Sequence, residues 1–166
     1  SLKETYSKNL NNDADTANIY SSYIYRNKAN EREFYIFQNR LKQGRSAGIP
    51  DEGLTIWHID RDGDNQTEHH ETYLVHNNNN INEHSGACFR KGRNEEFNFD
   101  STPNSDWYDG NPSGLRLWKF DEKNAEMQYN IGWGPAISVA YFSHTNDSTG
   151  DGQIKGGETF ELIANI

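Results

Sequence analysis

The stretch that decides the fold is EFYIFQNR at residues 33–40, followed after one loop by LTIWHI at residues 54–59. Both are short runs rich in aromatic and β-branched residues, which favours strands over helices. The second run is apolar at odd and even positions, which is typical of a central strand covered on both faces. The loop between them, residues 41–53, contains the glycines and the proline that commonly separate strands. We therefore expect a strand in each stretch.

Further strands are predicted on either side of this pair. Four stretches carry the apolar alternation of strands: residues 17–26, 72–76, 114–120 and 126–131. The last two are close enough in the chain to form a hairpin. Within the first, Ile19, Tyr23 and Tyr25 share one face.

The segment between these groups, residues 81–113, has no clean period. We expect a long ordered loop there, held in place by four aromatic side chains: Phe97, Phe99, Trp107 and Tyr108. Many short strands at roughly ten-residue spacing, with no long amphipathic helix, point to a sandwich. The predicted fold class is all-β and mostly antiparallel, a β-sandwich-like domain with long polar loops and little helix.

Three segments are predicted along the chain. Residues 1–16 are polar and form a loosely packed lead-in, and residues 17–132 form the sandwich-like domain. Residues 133–166 hold terminal strands that open a following sandwich module. The chain starts without Met and ends inside an apolar run, so we expect it to be an excised fragment.

Composition narrows the class of protein. The chain has 166 residues, a mean hydropathy of -1.04 and a net charge of -9, yet 13% of its residues are aromatic. So many aromatic residues argue for a packed domain rather than disorder. The negative charge argues against nucleic acid and anionic membrane surfaces, and it suits bound cations such as calcium. No apolar run is long enough for membrane insertion.

Catalytic motifs are missing from the sequence. A zinc protease would carry His-Glu-x-x-His on a helix, and none of the six His residues lies in that pattern. The single cysteine, Cys88, makes no intramolecular disulfide and is best read as a small buried residue. We therefore assign no catalytic residue and expect this fragment not to be an enzyme.

One acidic loop near the end of the chain has the spacing of a calcium loop. Calcium loops place oxygen ligands at positions one, three, five, seven and twelve, with a tight turn at six. Gly152 occupies position six. The residues at the ligand positions are Asp147, Thr149, Asp151, Gln153 and Glu158. The alternative is an acidic surface turn between two strands.

A second acidic loop follows the 54–59 stretch. Its ligand candidates are Asp60, Asp62, Asp64 and Glu71. Asn65 replaces the glycine, which is tolerable because Asn adopts the left-handed conformation more readily than most residues. Calcium is thus the one cofactor that the fragment's own residues suggest. The alternative is a solvated loop.

Three segments together resemble the immune inhibitor A-like zinc metallopeptidases. Residues 33–40 are similar to that family's E-[FY]-[FY]-L-x-E-N-R strand, with Gln38 where the family has an acidic residue. Residues 53–60, GLTIWHID, are similar to its G-L-L-I-W-H-I-D strand. Residues 99–115 are similar to its F-x-D-S-T-x-P-x-S-x-x-W-D-G-x-x-S-G-L segment. Counting the neighbouring strands, the resemblance spans about residues 17–132.

In that family these motifs follow the catalytic domain. The resemblance therefore implies a non-catalytic, stabilising domain of a secreted bacterial zinc metalloprotease. Its partner would be the catalytic domain of the same polypeptide, which would hold the zinc. His58 is either buried and hydrogen-bonded, which we favour, or turned toward the catalytic domain. The motif residues to which we assign structural roles are Glu33, Asn39, Arg40, Trp57, His58, Asp60, Trp107 and Gly110.

A different class of function stays open. Aromatic-rich β-sandwiches also bind glycans or cell surfaces by stacking sugars on exposed rings. The candidate platforms are Trp107, Tyr108, Trp118 and Trp133. The simpler interpretation is that these rings belong to the core. Residues 150–159 also resemble the start of many bacterial surface sandwich modules, which supports a further domain beginning near Pro135.

Overall fold

The computed structural model describes residues 2–4, 13–18, 22–66, 69–133, 141–145 and 161–165, with side chains over 22–66 and 69–132. The chain divides into two compact units, Ser1–Pro135 and Ala136–Ile166. Its regular structure is almost entirely β, so the predicted all-β, mostly antiparallel fold class is confirmed. Among the described residues, no helix has the length and apolar character needed to cross a bilayer.

The described residues form eleven strands and two short 3-10 turns, Gly44–Ser46 and His84–Gly86. In chain order the strands are β1 (Leu2–Glu4), β2 (Asp13–Asn18), β3 (Ser22–Arg26), β4 (Glu33–Arg40), β5 (Gly53–Asp60), β6 (Thr72–Val75), β7 (Glu96–Phe97), β8 (Leu115–Trp118), β9 (Glu126–Trp133), β10 (Tyr141–Thr145) and β11 (Glu161–Asn165).

The described residues of the first unit form two sheets. One has five strands in the order β1-β3-β4-β5-β6, and the other has four in the order β2-β9-β8-β7. The pairing is antiparallel throughout except between β1 and β3, which run parallel. In the second unit β10 and β11 pair as an antiparallel ribbon. Because β5 pairs with β4 and β6, it lies inside its sheet, as its sequence indicates.

One hydrophobic core joins the two sheets of the first unit. Alternate residues of β4 and β5 point inward, and they meet inward residues of β8 and β9 from the second sheet. The side chains with at most 1% exposure in this cluster include Tyr35, Phe37, Leu54, Ile56, Leu117, Met127 and Tyr129. The period-two pattern of each strand thus places its large residues between the sheets, which gives the predicted sandwich-like packing.

The predicted strand at 17–26 is wrong in its extent. The region contributes to two strands, β2 and β3, and these belong to different sheets. Alternation cannot reveal such a change, because both sheets accept the same pattern. Ile19 lies outside the described residues. The predicted lead-in at 1–16 contains β1 and the start of β2, which pair in register with β3 and β9.

The long loop is held largely as its aromatic residues suggest. Phe97 and Trp107 are 0% and 7% exposed, and Tyr108 is half-buried. Phe99 is the exception, because 44% of its surface is exposed. Phe97 also lies in β7, which pairs with β8 and which the aperiodic sequence did not indicate.

Candidate functional site

Glu33 and His58 form a buried pair at one end of the five-stranded sheet. The β4–β5 register places Glu33 opposite Asp60, so His58 lies diagonally across on the same inner face. Glu33 is 3% exposed and His58 is 5% exposed. His58 Nε2 lies 2.8 Å from Glu33 Oε1. His58 is therefore buried and hydrogen-bonded, the arrangement that its sequence context favours.

The Glu33 carboxylate connects three other parts of the chain. It accepts hydrogen bonds from the backbone amide of Tyr108 at 2.8 Å and from Asn27 Nδ2 at 3.0 Å, besides its contact with His58. Because an ionised carboxylate only accepts, we assign the Nε2 proton of His58 to this contact. Glu33 thus joins the turn after β3, strand β5 and the loop before β8.

Burial lowers the pKa of His58 from its ordinary value, and the neighbouring Glu33 opposes that shift without cancelling it. The imidazole is thus held in its neutral form at neutral pH. The rings of Tyr35 and Tyr108 stack on it, with centroids 4.3 Å and 4.2 Å away. These contacts fix the ring in one orientation.

A second carboxylate–histidine pair lies beside the first. Asp60 is 3% exposed, and its Oδ2 lies 2.7 Å from His69 Nε2. The His69 ring also lies 4.2 Å from the ring of Tyr108. Tyr108 therefore contacts an imidazole from each pair, and no sequence pattern singles out His69 for this contact. The two pairs anchor the loop that carries Trp107 and Tyr108.

A cleft of about 590 Å³ opens next to Tyr108. We call it the Tyr108 cleft; its walls include His70, Tyr73, Asn104, Asp106 and Tyr108. Its volume falls within the range of small-molecule sites. The sequence did not indicate this cleft, because most of its walls come from loops that have no period.

Asp106 Oδ1 is enclosed and lacks a hydrogen-bond partner within the described chain, whereas the enclosed Tyr108 hydroxyl meets the backbone of His70. Burial raises the pKa of Asp106. Burial also raises the pKa of Tyr108 to about 12, helped by the phenol of Tyr73 and the charge of Asp60 and opposed by the nearby backbone of His70. Buried polar atoms are normally paired, so such atoms need an explanation.

The predicted calcium ligands of the second acidic loop are engaged with the protein. Asp60 Oδ1 accepts the backbone amide of Asp62 at 2.9 Å, and its other oxygen contacts His69. The Asp62 carboxylate lies 2.6 Å from Arg32 Nε, and both side chains are more than half exposed. Asp60 and Asp62 thus bind different protein groups instead of facing a shared point.

The other two candidates of this loop also have protein partners. Asp64 Oδ1 accepts the amide of Gln66 at 2.9 Å. Glu71 exchanges two hydrogen bonds with Asn65, whose φ of 58° is the left-handed conformation expected from the sequence. Within the described ranges no three His, Cys, Asp or Glu side chains converge as a metal site.

The calcium ligands predicted in the last acidic loop, Asp147, Thr149, Asp151, Gln153 and Glu158, lie outside the described residues. Calcium binding therefore stays a prediction for both loops.

Other motif residues hold the sandwich together. Asn39 is fully buried, and its Nδ2 donates to the carbonyls of Asn124 and Ala125 in the connection between β8 and β9. Arg40 Nε donates to Gln38 Oε1 at 2.8 Å, where the resemblance would place an acidic partner. Asn39 therefore ties one sheet to the other.

Trp107 and Gly110 shape the loop between β7 and β8. The Trp107 ring stacks on Tyr35 and Tyr25, with centroids 5.1 Å and 5.9 Å away. The amide of Gly110 donates to the carbonyl of Trp107 at 2.9 Å, and its φ is 81°. That conformation explains glycine at this position, because an L side chain would be strained there.

The candidate sugar-stacking rings whose side chains are described are buried or half-buried. Trp107 and Trp118 are 7% and 8% exposed, so neither offers an open platform. Tyr108 is half-buried between histidine rings. The side chain of Trp133 lies outside those described. The simpler interpretation, that these rings pack within the domain, fits Trp107, Trp118 and Tyr108.

A buried ionic cluster surrounds Asp51, which the sequence did not single out. Asp51 is 6% exposed and accepts hydrogen bonds from Arg90, Arg93 and the backbone amide of Cys88. Burial alone would raise the pKa of Asp51, but the hydrogen bonds from Arg93 and Arg90 outweigh burial and lower it. Burial raises the pKa of the Cys88 thiol to about 12. Cys88 is thus a buried, protonated packing residue.

No known protein family, curated protein or solved structure matches the chain in the comparisons with each. The resemblance to immune inhibitor A-like metallopeptidases therefore depends on the quoted motifs, their order and their spacing.

Proposed function

We propose that this chain is a non-catalytic accessory domain of a secreted bacterial zinc metalloprotease, where it packs beside the catalytic domain and stabilises it. The observation that supports this most directly is the position of the Glu33 carboxylate. It accepts hydrogen bonds from three separate segments, through Asn27, His58 and Tyr108. All three resembling motifs thus meet at one buried carboxylate, through Glu33 itself, His58 and Tyr108, which supports a structural role.

The outer face of the five-stranded sheet is the surface we assign to that contact. Ile36, Trp57 and Leu74 are direct cross-strand neighbours on β4, β5 and β6. All three are half-buried and lie on the face away from the core. A contiguous apolar row on a sheet surface is typical of a protein contact.

An apolar groove of about 240 Å³ adjoins this row and is lined by Trp57, Leu74, Ile49 and Pro50. Trp57 belongs to the resembling motif yet makes its apolar contacts outside the main core cluster. A contact with the catalytic domain would give that residue a role.

Binding to the separately produced catalytic domain, measured by calorimetry, tests the proposal. Trp57→Ala should weaken binding by roughly tenfold or more, because buried aromatic residues dominate interfaces. Ile81→Ala is the matched control, since Ile81 is 48% exposed and does not line the groove beside Trp57. Equal effects of the two changes, or no binding by the unmodified chain, would contradict the proposal. The chain alone should not cleave casein in the presence of zinc.

A further inference from the structure

A cationic cleft lies where β4 ends and the loop to β5 begins. Its volume is about 550 Å³, and its lining includes Gln38, Arg40, Gln43, Arg45 and Ser46. Arg40 is half-buried and Arg45 is exposed, so both side chains keep surface that a ligand can reach. None of the described residues lining this cleft, which we call the Arg40 cleft, is Asp or Glu.

The acidic residues that follow this loop are bound by cations from other parts of the chain. Asp51 binds Arg90 and Arg93, and Glu52 binds Lys123. Their negative charge is therefore balanced without the arginines of the cleft.

Arg40 and Arg45 form no ion pair with any carboxylate of the described chain. Arg40 Nε donates to the neutral Gln38 Oε1 at 2.8 Å. A guanidinium group carries five N–H donors, so this bond leaves the donors on its terminal nitrogens for an oxyanion. The cleft thus offers positive charge that lacks an internal counter-charge among the described residues.

Arg40 also lines the apolar groove of about 240 Å³ beside Trp57, together with Pro50 and Leu74. A ligand held by Arg40 therefore has a cationic cleft on one side and an apolar groove on the other. A carboxylate with a neighbouring apolar group fits both, whereas a phosphate or sulfate ion fits the cleft alone.

Net charge favours a ligand with few negative charges. The chain carries a net charge of -9, so its overall field repels a polyanion such as a nucleic acid or an anionic membrane. One or two carboxylates can bind two local arginines without opposing that field strongly.

We propose that the Arg40 cleft and the adjoining groove bind a polypeptide segment in which Asp or Glu lies next to a large apolar residue. The carboxylate binds Arg40, and Arg45 supplies a second positive charge. The apolar side chain packs in the groove against Trp57 and Leu74. This inference rests on the proposed function for the identity of the partner, because the groove adjoins the face assigned to the catalytic domain.

The test titrates the intact 166-residue chain with four capped dipeptides and follows amide proton–nitrogen correlation spectra. Two probes are acidic, the N-acetylated amides of glutamyl-leucine and leucyl-glutamate, and two are their neutral glutamine counterparts. Inorganic phosphate is the simple-anion probe. At least one acidic dipeptide should shift resonances of residues around the cleft and groove. It should bind about fivefold more tightly than its neutral counterpart, and added salt should reduce that difference. It should also bind more tightly than phosphate.

Two substitutions test the arginines. Arg40→Gln and Arg45→Gln each remove one charge from the cleft, and each should weaken binding of the acidic dipeptide by about fivefold. Because Arg45 is exposed, Arg45→Gln should leave the melting temperature unchanged, so its effect on binding does not arise from unfolding. Lys91→Gln is the matched control, since it removes one positive charge from an exposed residue outside the cleft and groove.

Three results would overturn the proposal. These are no shifts with either acidic dipeptide, equally tight binding of the neutral dipeptides or of phosphate, or binding that neither arginine substitution weakens more than Lys91→Gln does. The dipeptides are titrated without the catalytic domain, so the two proposals fail separately. Dipeptide binding without binding of the catalytic domain would contradict the proposed function alone, and the reverse result would contradict this inference alone.

Discussion

Replacing Glu33 by alanine removes the acceptor for three donors at once, two of them buried and one partly buried. The donors are His58 Nε2, the amide of Tyr108 and Asn27 Nδ2, at 2.8 Å, 2.8 Å and 3.0 Å. Each donor left without a partner costs about 1–3 kcal/mol, reduced where water can enter. Because His58 is neutral, the change leaves unpaired donors but no buried charge, so three such losses, reduced by hydration, come to about 3–5 kcal/mol. We expect a loss in that range, equivalent to a fall in Tm of roughly 10–20 °C.

Urea unfolding followed by tryptophan fluorescence measures this loss, with an unchanged m-value showing that the same surface is exposed on unfolding. The control is Glu31→Ala, since Glu31 is exposed in the turn before β4 and should change stability by less than about 0.5 kcal/mol. If Glu33→Ala cost no more than the control, Glu33 would not hold the loop that carries Tyr108.

Three further predictions concern protons, the thiol and calcium. Because folding lowers the pKa of His58, the unfolded chain binds more protons than the folded chain. His58 therefore contributes stability above pH 6.5, the pKa of an unfolded histidine, and this stability is lost as the pH falls. The urea concentration at the unfolding midpoint should fall as the pH is lowered below about 6.5, and it should fall less steeply in His58→Gln. Equal slopes for the two proteins would contradict this role of His58. Cys88, 2% exposed with a pKa of about 12, should resist a thiol reagent at pH 8 until urea is added, whereas rapid labelling of the folded chain would contradict its burial. Calcium bound by either acidic loop should raise the Tm above its value in chelator. Identical melting curves with calcium and with chelator would contradict calcium binding by both loops.

The strands that the sequence predicts well are those with one consistent pattern. Residues 33–40 form β4 with the predicted bounds, and 54–59 extends by only one residue at each end to give β5. Their inward side chains Tyr35, Phe37, Leu54 and Ile56 occupy the core, so local pattern and tertiary packing agree there. The β8–β9 pairing also follows from alternation and a short connection.

The failures arise where contacts depend on distant parts of the chain. Asp51 is paired with Arg90 and Arg93, about forty residues away, and no local period reports such an ion pair. Asp106 lies in an aperiodic loop, and its unpaired oxygen is evident only from the surrounding fold. Phe99 was expected to be buried because it is aromatic, but only neighbouring Phe97 is directed into the core.

The most direct test of the accessory-domain proposal is the coding sequence immediately upstream of Ser1. The proposal predicts an in-frame segment that encodes His-Glu-x-x-His within a helical pattern, preceded by a secretion signal. An upstream region without that motif would contradict the link to a zinc protease, even though the β-sandwich-like fold would stand.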